Sequence, residues 1–404
     1  KMDYLGLRTL TILDKCEALI RAAGGEVPDL LEGTQDDPAV YELLMTGDTQ
    51  GIFQLESEGM RKLITRMQPD CFADLVALLA LYRPGPLDAG MDDLYVNRKH
   101  GREAVEYEHP VLEGILEETY GCIVYQEQVM RISSDLAGFS LAEADNLRKA
   151  MGKKIVAIME KFSAKFVDGA VENGCSKEDA KQIWDNILKF GGYGFNKSHS
   201  AAYAILSYQT AWMKAHYRQE FLAANLSCEM SDSDKVKALL DDARNAGIEI
   251  LGPDARRSDW YFLPEGDAIR YGLGAIKGTG EQAITHLIRA REALKKDNKP
   301  LGLFELTGQT DPKEVGKIAW EAMIKAGAFD FTEVNRGSIF AALEGALSDS
   351  AAAAADRRSG QANLFGALEE ETDDDSRKFS EYEAWSRQDL LDREHEALGH
   401  YLSG

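Results

Sequence analysis

The stretch FGGYGFNKSHSAAYAILSYQTAWMKAHY (residues 190–217) joins a glycine-rich segment to a long apolar and aromatic run. Its first half resembles a phosphate-binding P-loop, which needs glycine, four residues, glycine, lysine and then serine or threonine. Gly191, Lys197 and Ser198 occupy the expected places, but Asn196 stands where the second glycine should be. The second half is apolar and aromatic on several sides, which predicts a central, mostly buried helix.

A P-loop also needs a buried β-strand before it. The preceding text, AKQIWDNILKF, has helical spacing and contains Lys, Asn and Asp, so a helix–glycine loop–helix arrangement is expected instead. Such a loop can still hold a nucleotide, because the second helix offers free backbone N–H groups near Ser198. Lys197 and His199 add donors, and Tyr193 and Phe195 offer flat faces for a base. The alternative is a plain helix hairpin whose aromatic side chains pack in the core.

Length and composition predict a globular protein with two or three domains. The chain has 404 residues, 44% of them hydrophobic and 28% charged. Its formal net charge of −22 does not exclude nucleic-acid binding, because binding depends on local patches and LRKAMGKK (residues 147–154) is basic. Five scattered cysteines without a CxxC pair argue against a disulfide framework and a zinc knuckle, and fit a reducing cytoplasm. No apolar run is long enough for a membrane span, and FADLVALLALY (residues 72–82) is expected to be a buried helix.

The residue pattern predicts a mainly α-helical fold with a small α/β insert. Ser140 with Glu143, and Ser176 with Asp179, are typical of capped helix starts. The runs IEIL, WYFL and IRYG are short and β-like. The predicted divisions are the end of a strand (1–10), a helical domain (11–230), its small α/β part (231–271), a hairpin region (272–347), a flexible linker (348–380) and the start of a C-terminal unit (381–404).

A second candidate site is the hairpin IKGTGEQAI, which leads into a helix. Gly278 and Gly280 flank Thr279 and let backbone N–H groups approach a phosphate oxygen, with Lys277 beside them. Contacts of this kind do not depend on nucleic-acid sequence. The alternative is an ordinary tight turn. A degenerate copy is expected at MIKAGAFD (residues 323–330).

Three further segments contain residues that could have a function. QANLF (residues 361–365) places a Leu–Phe pair in the linker, which is either a docking peptide or a chance pair of apolar residues. Asp3 lies in an alternating run like the end of a strand, but one carboxylate does not make a two-metal site. His395 and His400 in REHEALGH do not have the spacing of a zinc-protease helix, so that interpretation is rejected.

Together these segments resemble one family, the bacterial replicative DNA polymerase III alpha subunit. The motifs follow in family order and are KMDYLGLRTL, GDTQGIFQLES, LALYRPGPLDAGM, ETYGCIVYQEQVMRI, LRKAMGKK and the stretch at residues 190–217. The resemblance covers essentially the whole chain. It implies the last strand of a palm domain, a multi-helix fingers domain with a small α/β insert, a helix-hairpin-helix region and a linker with a clamp-binding peptide. The glycine loop then belongs to a fingers pocket, and the P-loop match is accidental.

The resemblance also implies roles for individual residues. Asp3 matches a palm carboxylate that is catalytic and binds the two Mg²⁺ ions of the intact active site. The residues implied in nucleotide binding are Lys1, Arg148, Lys149, Tyr193, Phe195, Lys197 and His199. Those implied in binding the DNA backbone are Lys277, Gly278, Thr279 and Gly280. Those implied in binding the sliding clamp are Gln361, Leu364 and Phe365.

The function implied is that of a segment of a template-directed DNA polymerase, a nucleotidyltransferase of the cytoplasm without a membrane partner. The implied partners are primer–template DNA, dNTP, the sliding clamp, a proofreading exonuclease and a clamp loader. The family's other two palm carboxylates come from a PDxDxDF segment that this sequence lacks. We therefore expect a piece of a longer protein that has no polymerase activity by itself. A non-catalytic DNA-binding or clamp-adaptor module is the alternative, and a P-loop nucleotidase is disfavoured.

Overall fold

The protein is described by a computed structural model that covers residues 6–152, 156–359, 379 and 382–403. The chain forms two compact units, Val27–His216 and a unit that combines Lys1–Glu26 with Tyr217–Gly404. Over the described residues the fold is mainly α-helical with one small sheet, which confirms the predicted fold class. In that same part of the chain, no helix has both the length and the apolar character needed to span a bilayer.

The unit Val27–His216 is entirely helical in its regular elements. The first helix of the chain, α1 (Arg8–Ala22), belongs to the other unit. The helices of Val27–His216 are α2 (Pro38–Thr46), α3 (Glu58–Met67), α4 (Phe72–Leu81), α5 (Pro84–Asp88), α6 (Met91–Lys99), α7 (Pro110–Leu116), α8 (Gln126–Asp135), α9 (Leu141–Gly152), α10 (Val156–Glu172), α11 (Lys177–Gly191) and α12 (Lys197–His216). Ile132, Leu147 and Ile187 lie in the buried apolar cluster that joins α7–α11.

Helix α12 is the centre of this unit, as its aromatic and apolar sequence predicted. It packs against α4 and α2, and small residues along it, including Ser200 and Ser207, are fully buried. The Ser200 hydroxyl donates to the Val76 carbonyl at 2.6 Å, and the Ser207 hydroxyl donates to the Phe53 carbonyl at 2.9 Å. Because these side chains are short and each hydroxyl finds an acceptor, neighbouring backbone can approach α12 closely without a desolvation penalty.

Both helix starts that the sequence predicted are capped by serine, and at Ser140 the reciprocal bonds of a full capping box form. The Glu143 N–H donates to the Ser140 hydroxyl at 3.3 Å, and the Ser140 N–H donates to the Glu143 carboxylate at 3.1 Å. The Asp179 N–H donates to the Ser176 hydroxyl at 3.0 Å. These bonds satisfy backbone donors that the first turns of α9 and α11 leave without intrahelical partners. They set the starting points of the two helices that flank the candidate site.

The second unit holds the sheet and the remaining helices. Its strands are β1 (Glu249–Leu251), β2 (Leu263–Glu265) and β3 (Ala268–Arg270). Strand β3 is central; it pairs with β1 in parallel and with β2 antiparallel. The helices that follow α1 in this unit are α13 (Arg218–Cys228), α14 (Ser233–Asn245), α15 (Glu281–Lys296), α16 (Leu303–Gln309), α17 (Lys317–Lys325), α18 (Arg336–Ser359) and α19 (Arg387–Leu398).

Two details of this unit differ from the sequence prediction. The β-like run WYFL becomes a strand only at Leu263, because the Phe262 N–H donates to the Ser227 hydroxyl at 3.0 Å instead of to a strand. The flexible linker predicted from residue 348 was wrong at its start, because α18 continues to Ser359. Its run of alanines has the highest helix propensity, and the Ser350 hydroxyl donates to the Thr310 carbonyl at 3.0 Å.

The packing units also differ from the predicted domain limits. The helical domain was predicted for residues 11–230, whereas α1 and α13 pack on each other in the unit that holds the sheet. Helix α19 packs against α17 of that same unit. The two compact units therefore do not coincide with the domains predicted from the sequence. Those domain limits stay a prediction about the longer protein.

We predict that Gly169→Ala destabilises the unit Val27–His216. A β-carbon at Gly169 of α10 would lie 2.2 Å from the Ala137 carbonyl oxygen, so the helix would have to move away from that loop. Overpacking of this kind costs about 1–3 kcal/mol in free energy of unfolding. Denaturant unfolding followed by circular dichroism measures it.

The matched control is Gly114→Ala in α7, where a β-carbon would meet no atom within 4 Å. That substitution should be neutral or should stabilise by up to about 1 kcal/mol, because alanine has the better helix propensity. Equal effects of the two substitutions would contradict the close contact at Gly169.

Candidate nucleotide and DNA-backbone sites

The glycine loop between α11 and α12 is held in place by backbone pairing with the segment before α8. The Phe195 N–H donates to the Val124 carbonyl at 3.0 Å, and the Gln126 N–H donates to the Phe195 carbonyl at 2.9 Å. Tyr125 and Phe195 thereby form an isolated parallel bridge. The element before the loop is helix α11, as expected, and the P-loop interpretation therefore fails for this structure.

The N-terminus of α12 is capped from within the protein. Asn196 accepts the His199 N–H at 2.8 Å, which explains why asparagine stands where a P-loop would have glycine. Glu127 accepts the Lys197 N–H at 3.0 Å and the Asn196 side-chain amide at 2.8 Å. The expectation of free N–H groups near Ser198 was therefore wrong for the N–H groups of Lys197 and His199, because a carboxylate already lies at this positive end of the helix.

Aromatic rings continue from the loop along one face of α12. The rings of Phe195 and His199 lie 5.5 Å apart, and those of His199 and Tyr203 lie 4.5 Å apart. Tyr203 in turn contacts Phe53, with ring centroids 5.3 Å apart. His199 is exposed, whereas Phe195 and Tyr203 are half-buried. Phe195, His199 and Tyr203 therefore form a continuous row of aromatic rings, which reaches solvent at His199.

The predicted cations of helix α9 share one carboxylate. Arg148 donates to Asp145 at 2.7 and 3.0 Å, and the Lys149 ammonium lies 2.5 Å from the other oxygen of Asp145. Hydrogen bonds from Lys149 and Arg148 hold the pKa of the Asp145 carboxyl below its usual range. Sequence reasoning missed Asp145, although it lies at helical spacing from both cations. The two positive charges are thus partly neutralised within the protein.

Gln126 connects the cations of α9 to the glycine loop. Its side-chain oxygen accepts from Arg148 at 3.2 Å, and its amide nitrogen donates to the Gly194 carbonyl at 3.1 Å. Its backbone is also part of the pairing with Phe195. Gln126 was not predicted, and QEQ in the motif ETYGCIVYQEQVMRI was the signal that could have found it. One side chain thus places Arg148 beside the loop that carries Tyr193 and Phe195.

Lys197 is paired on the other side of the loop. Its ammonium lies 2.7 Å from both oxygens of Glu118 and 5.4 Å from the centre of the Tyr125 ring. Both charged side chains are about 40% exposed, at 41% and 40%. A pair with this exposure is weak, so an entering anion can exchange with Glu118 at modest cost.

Tyr193 is held by Arg83 and Gly85 of the motif YRPGP, for which the sequence predicted no role in the site. Arg83 donates to the Tyr193 carbonyl at 2.7 Å, and its guanidinium lies 4.5 Å from the centre of the Phe195 ring. The Tyr193 ring packs on Gly85, where a β-carbon would lie 2.7 Å from a ring atom. The structure therefore adds Arg83 and Gly85 to the predicted set.

The predicted hairpin is a tight turn that precedes helix α15. Gly278 has φ +95°, a left-handed conformation that favours glycine, and its α-carbon packs toward Ile318 of α17. The Thr279 hydroxyl donates to carbonyls within the turn, including that of Ile276 at 2.7 Å, so this side chain fixes the turn. The hairpin is therefore rigid as well as exposed.

The N–H groups around this hairpin have different partners. Gly280 is the N-terminal cap of α15 and supplies no side-chain cap, so the first turn keeps donors that a phosphate can accept. The Lys277 N–H, by contrast, donates to the Ala397 carbonyl of α19 at 2.7 Å. The Lys277 side chain is exposed. Lys277 thus has a side chain that a ligand can reach, whereas its backbone N–H is already bonded to Ala397.

In the degenerate copy at residues 323–330, Lys325 and Asp330 are both paired with side chains of the protein. Lys325 lies 2.9 Å from Glu396, and Arg336 donates to Asp330 at 2.8 and 2.6 Å. The side chain of Lys325 is 15% exposed and that of Arg336 is 11% exposed. This turn is therefore built for packing, and the first hairpin is the better phosphate site.

The described residues do not fit the two-ion magnesium site that the resemblance implied. Among them, the group whose potential ligand atoms lie within 4.8 Å of one another is Asp70, Cys71 and Asp74. The Lys99 ammonium lies 2.9 Å from Asp70 and 2.6 Å from Asp74 and already supplies the positive charge. We therefore derive no reaction step through a metal from these residues.

Five of the predicted site residues lie outside the described residues. They are Lys1, Asp3, Gln361, Leu364 and Phe365. Their implied roles in catalysis, metal binding, nucleotide binding and clamp binding stay predictions.

The sequence matches two family models. Residues 9–174 match the bacterial DNA polymerase III alpha subunit finger domain, and residues 247–339 match the helix-hairpin-helix motif. The first range includes Arg148 and Lys149 and ends before the glycine loop. The second range includes both turns of the hairpin region and begins at the end of α14, earlier than the predicted limit at residue 272.

Curated relatives match the chain from end to end. It is 46% identical to the DNA polymerase III subunit alpha of Pasteurella multocida and 45% identical to that of Escherichia coli, and in each case all of the chain and 35% of the relative are covered. It is 46% identical to the same subunit of Aquifex aeolicus, with 33% of that relative covered. The chain thus spans about a third of the length of these relatives.

Proposed function

Because the chain belongs, as a segment, to the bacterial DNA polymerase III alpha family, we propose that it supplies the fingers and the helix-hairpin-helix part of a replicative DNA polymerase. Relatives named DNA polymerase III subunit alpha match the full length of the chain. In this proposal the intact protein is a DNA-directed DNA polymerase that extends a primer by template-directed addition of dNTP.

The observation that carries the nucleotide site is the bridge that Gln126 makes between Arg148 and Gly194. It joins the cations of α9 and the aromatic loop into one hydrogen-bonded cluster. A triphosphate is a polyanion with a flat base attached, so it needs both features on one surface. We assign Arg148, Lys149 and Lys197 to the phosphates and Tyr193, Phe195 and His199 to the base and sugar.

In the proposed reaction, the primer 3′-hydroxyl attacks the α-phosphate of the dNTP and pyrophosphate leaves. The described residues bind and orient the dNTP and neutralise the charge of its phosphates. Asp145 and Glu118 hold the cations until the nucleotide arrives, and the phosphates then take their place as acceptors. Base selection rests on pairing with the template.

We propose that the chain by itself is inactive, since it lacks a PDxDxDF segment. We propose Asp3 as the palm carboxylate of the intact protein, with Mg²⁺ as the divalent ion that such a nucleotidyltransferase uses. The intact protein would act in the cytoplasm together with a proofreading exonuclease and a clamp loader.

The hairpin at Lys277–Gly280 is our proposed contact to the DNA backbone. The uncapped start of α15 and the exposed side chain of Lys277 could contact a phosphate without any requirement for base sequence. Gln361, Leu364 and Phe365 are our proposed contact to the sliding clamp.

We predict that Arg148→Ala in the full-length protein raises the KM for dNTP about tenfold or lowers kcat, because it removes a charge-assisted hydrogen bond to the triphosphate. Steady-state primer extension at varied dNTP concentration measures both constants. The control is Arg131→Ala in α8, whose partner Asp135 lies on the same surface helix. Unchanged kinetics for Arg148→Ala would remove it from this role.

We predict that Lys277→Ala weakens duplex DNA binding uniformly across sequences. Loss of one phosphate contact lowers the slope of log Kd against log salt by about 0.9. Fluorescence anisotropy at several salt concentrations measures the slope. Lys325→Ala is the matched control, since Lys325 pairs with Glu396 and should leave the slope unchanged. Identical slopes for the two variants would show that Lys277 does not contact a phosphate.

We predict that the double substitution Leu364→Ala with Phe365→Ala abolishes binding of the full-length protein to the sliding clamp. The pair supplies the apolar anchors of the proposed docking peptide. Surface plasmon resonance on immobilised clamp measures the affinity. Leu368→Ala, which removes one leucine side chain three positions after Phe365, is the control. If the double variant binds like the parent protein, the segment is only a linker.

A further inference from the structure

Arg83 is held at the glycine loop by several contacts from one side. Its Nε donates to the Ala80 carbonyl at 2.8 Å, and a terminal nitrogen donates to the Tyr193 carbonyl at 2.7 Å. The plane of the guanidinium lies near the Phe195 ring, with Cζ 4.5 Å from its centre. A cation in this position is attracted by the face of the ring. The side chain is therefore fixed in place and half-buried.

Arg83 differs from the other cations of the loop in having no carboxylate partner among the described residues. Arg148 and Lys149 bond to Asp145, and Lys197 bonds to Glu118. A guanidinium has five N–H donors, and the structure uses two of those of Arg83, so three are left for a ligand. Burial lowers the pKa of Arg83, which is the effect expected of a desolvated charge that has no counter-ion.

We infer that Arg83 is a further anion-binding side chain of the nucleotide pocket, and that its free donors bind a phosphate group of the incoming dNTP while its bond to the Tyr193 carbonyl fixes the loop. The inference rests on the proposed dNTP pocket and adds a residue to it. A planar fork of donors suits a phosphate, and a cation already stripped of part of its water has less hydration to lose on binding.

The same motif fixes Tyr193 at two points. Arg83 bonds to its carbonyl, and Gly85 lets its ring approach the backbone so closely that a β-carbon would lie 2.7 Å away. The position of the Tyr193 ring and the charge of Arg83 can therefore be tested separately. Gly85→Ala displaces the ring and keeps the guanidinium, whereas Arg83→Gln removes the charge and keeps a donor that can reach toward the Tyr193 carbonyl.

The test uses the full-length protein and primer extension at varied dNTP, together with the Kd for primer–template DNA. Arg83→Gln is expected to raise the KM for dNTP at least tenfold, with the DNA Kd within twofold of the parent protein. Arg83→Lys is expected to recover part of the loss, since it keeps the charge without the planar fork. Arg102→Gln, an exposed arginine of the same unit, is the control for general loss of charge.

Each other outcome for the Arg83 variants contradicts the inference in a recognisable way. An unchanged KM with a weaker DNA Kd would assign the phosphate to the DNA strand. A fall in kcat alone would leave Arg83 with a structural role, whereas a rise in KM for Gly85→Ala would reflect the displaced Tyr193 ring and says nothing against the charge of Arg83. If Arg83→Gln does not fold, Arg83→Lys carries the test alone, and a parental KM overturns the inference. If Arg148→Ala also leaves KM unchanged, the proposed pocket itself fails.

Discussion

The geometry of the candidate site depends on the short backbone pairing between Phe195 and the segment Val124–Gln126. Two hydrogen bonds fix a glycine-rich loop that otherwise has wide conformational freedom. The pairing also brings Gln126 and Glu127 to the start of α12. There Gln126 accepts a hydrogen bond from Arg148, and Glu127 accepts the Lys197 N–H and so caps the helix. The paired backbone thus places Gln126, Glu127 and, through Gln126, Arg148 at the glycine loop.

Charge in this unit is arranged as local pairs within an acidic chain. With a formal net charge of −22, long-range attraction of a polyanion is unfavourable, so binding has to come from cations at short range. Asp145 and Glu118 hold three of these cations in defined positions. Arg83 is held by carbonyl groups and a ring, which orient it and leave its charge uncompensated.

The sequence was sufficient for the fold class, the central helix, the capping boxes and the family, because each of these depends on local pattern or on long motifs. It could not show which residues pair at a distance. Glu127 accepts the Lys197 N–H of α12, yet the two residues are 70 positions apart and no local pattern links them. The start of the linker was misjudged because small residues such as the alanines of α18 suit both a mobile segment and a helix.

The carboxylate of Glu127 at the start of α12 has a consequence for how the pocket changes when it fills. The dipole of the helix is already balanced there, so attraction for an anion would have to come from side chains: Arg83, which is held in place, and the more exposed Lys149 and Lys197, which can rotate. Rotamer changes of exposed side chains take picoseconds to nanoseconds, far less than a backbone rearrangement. If the proposed pocket binds a nucleotide, the change from its empty to its occupied state would therefore require side-chain rotation without refolding of the loop.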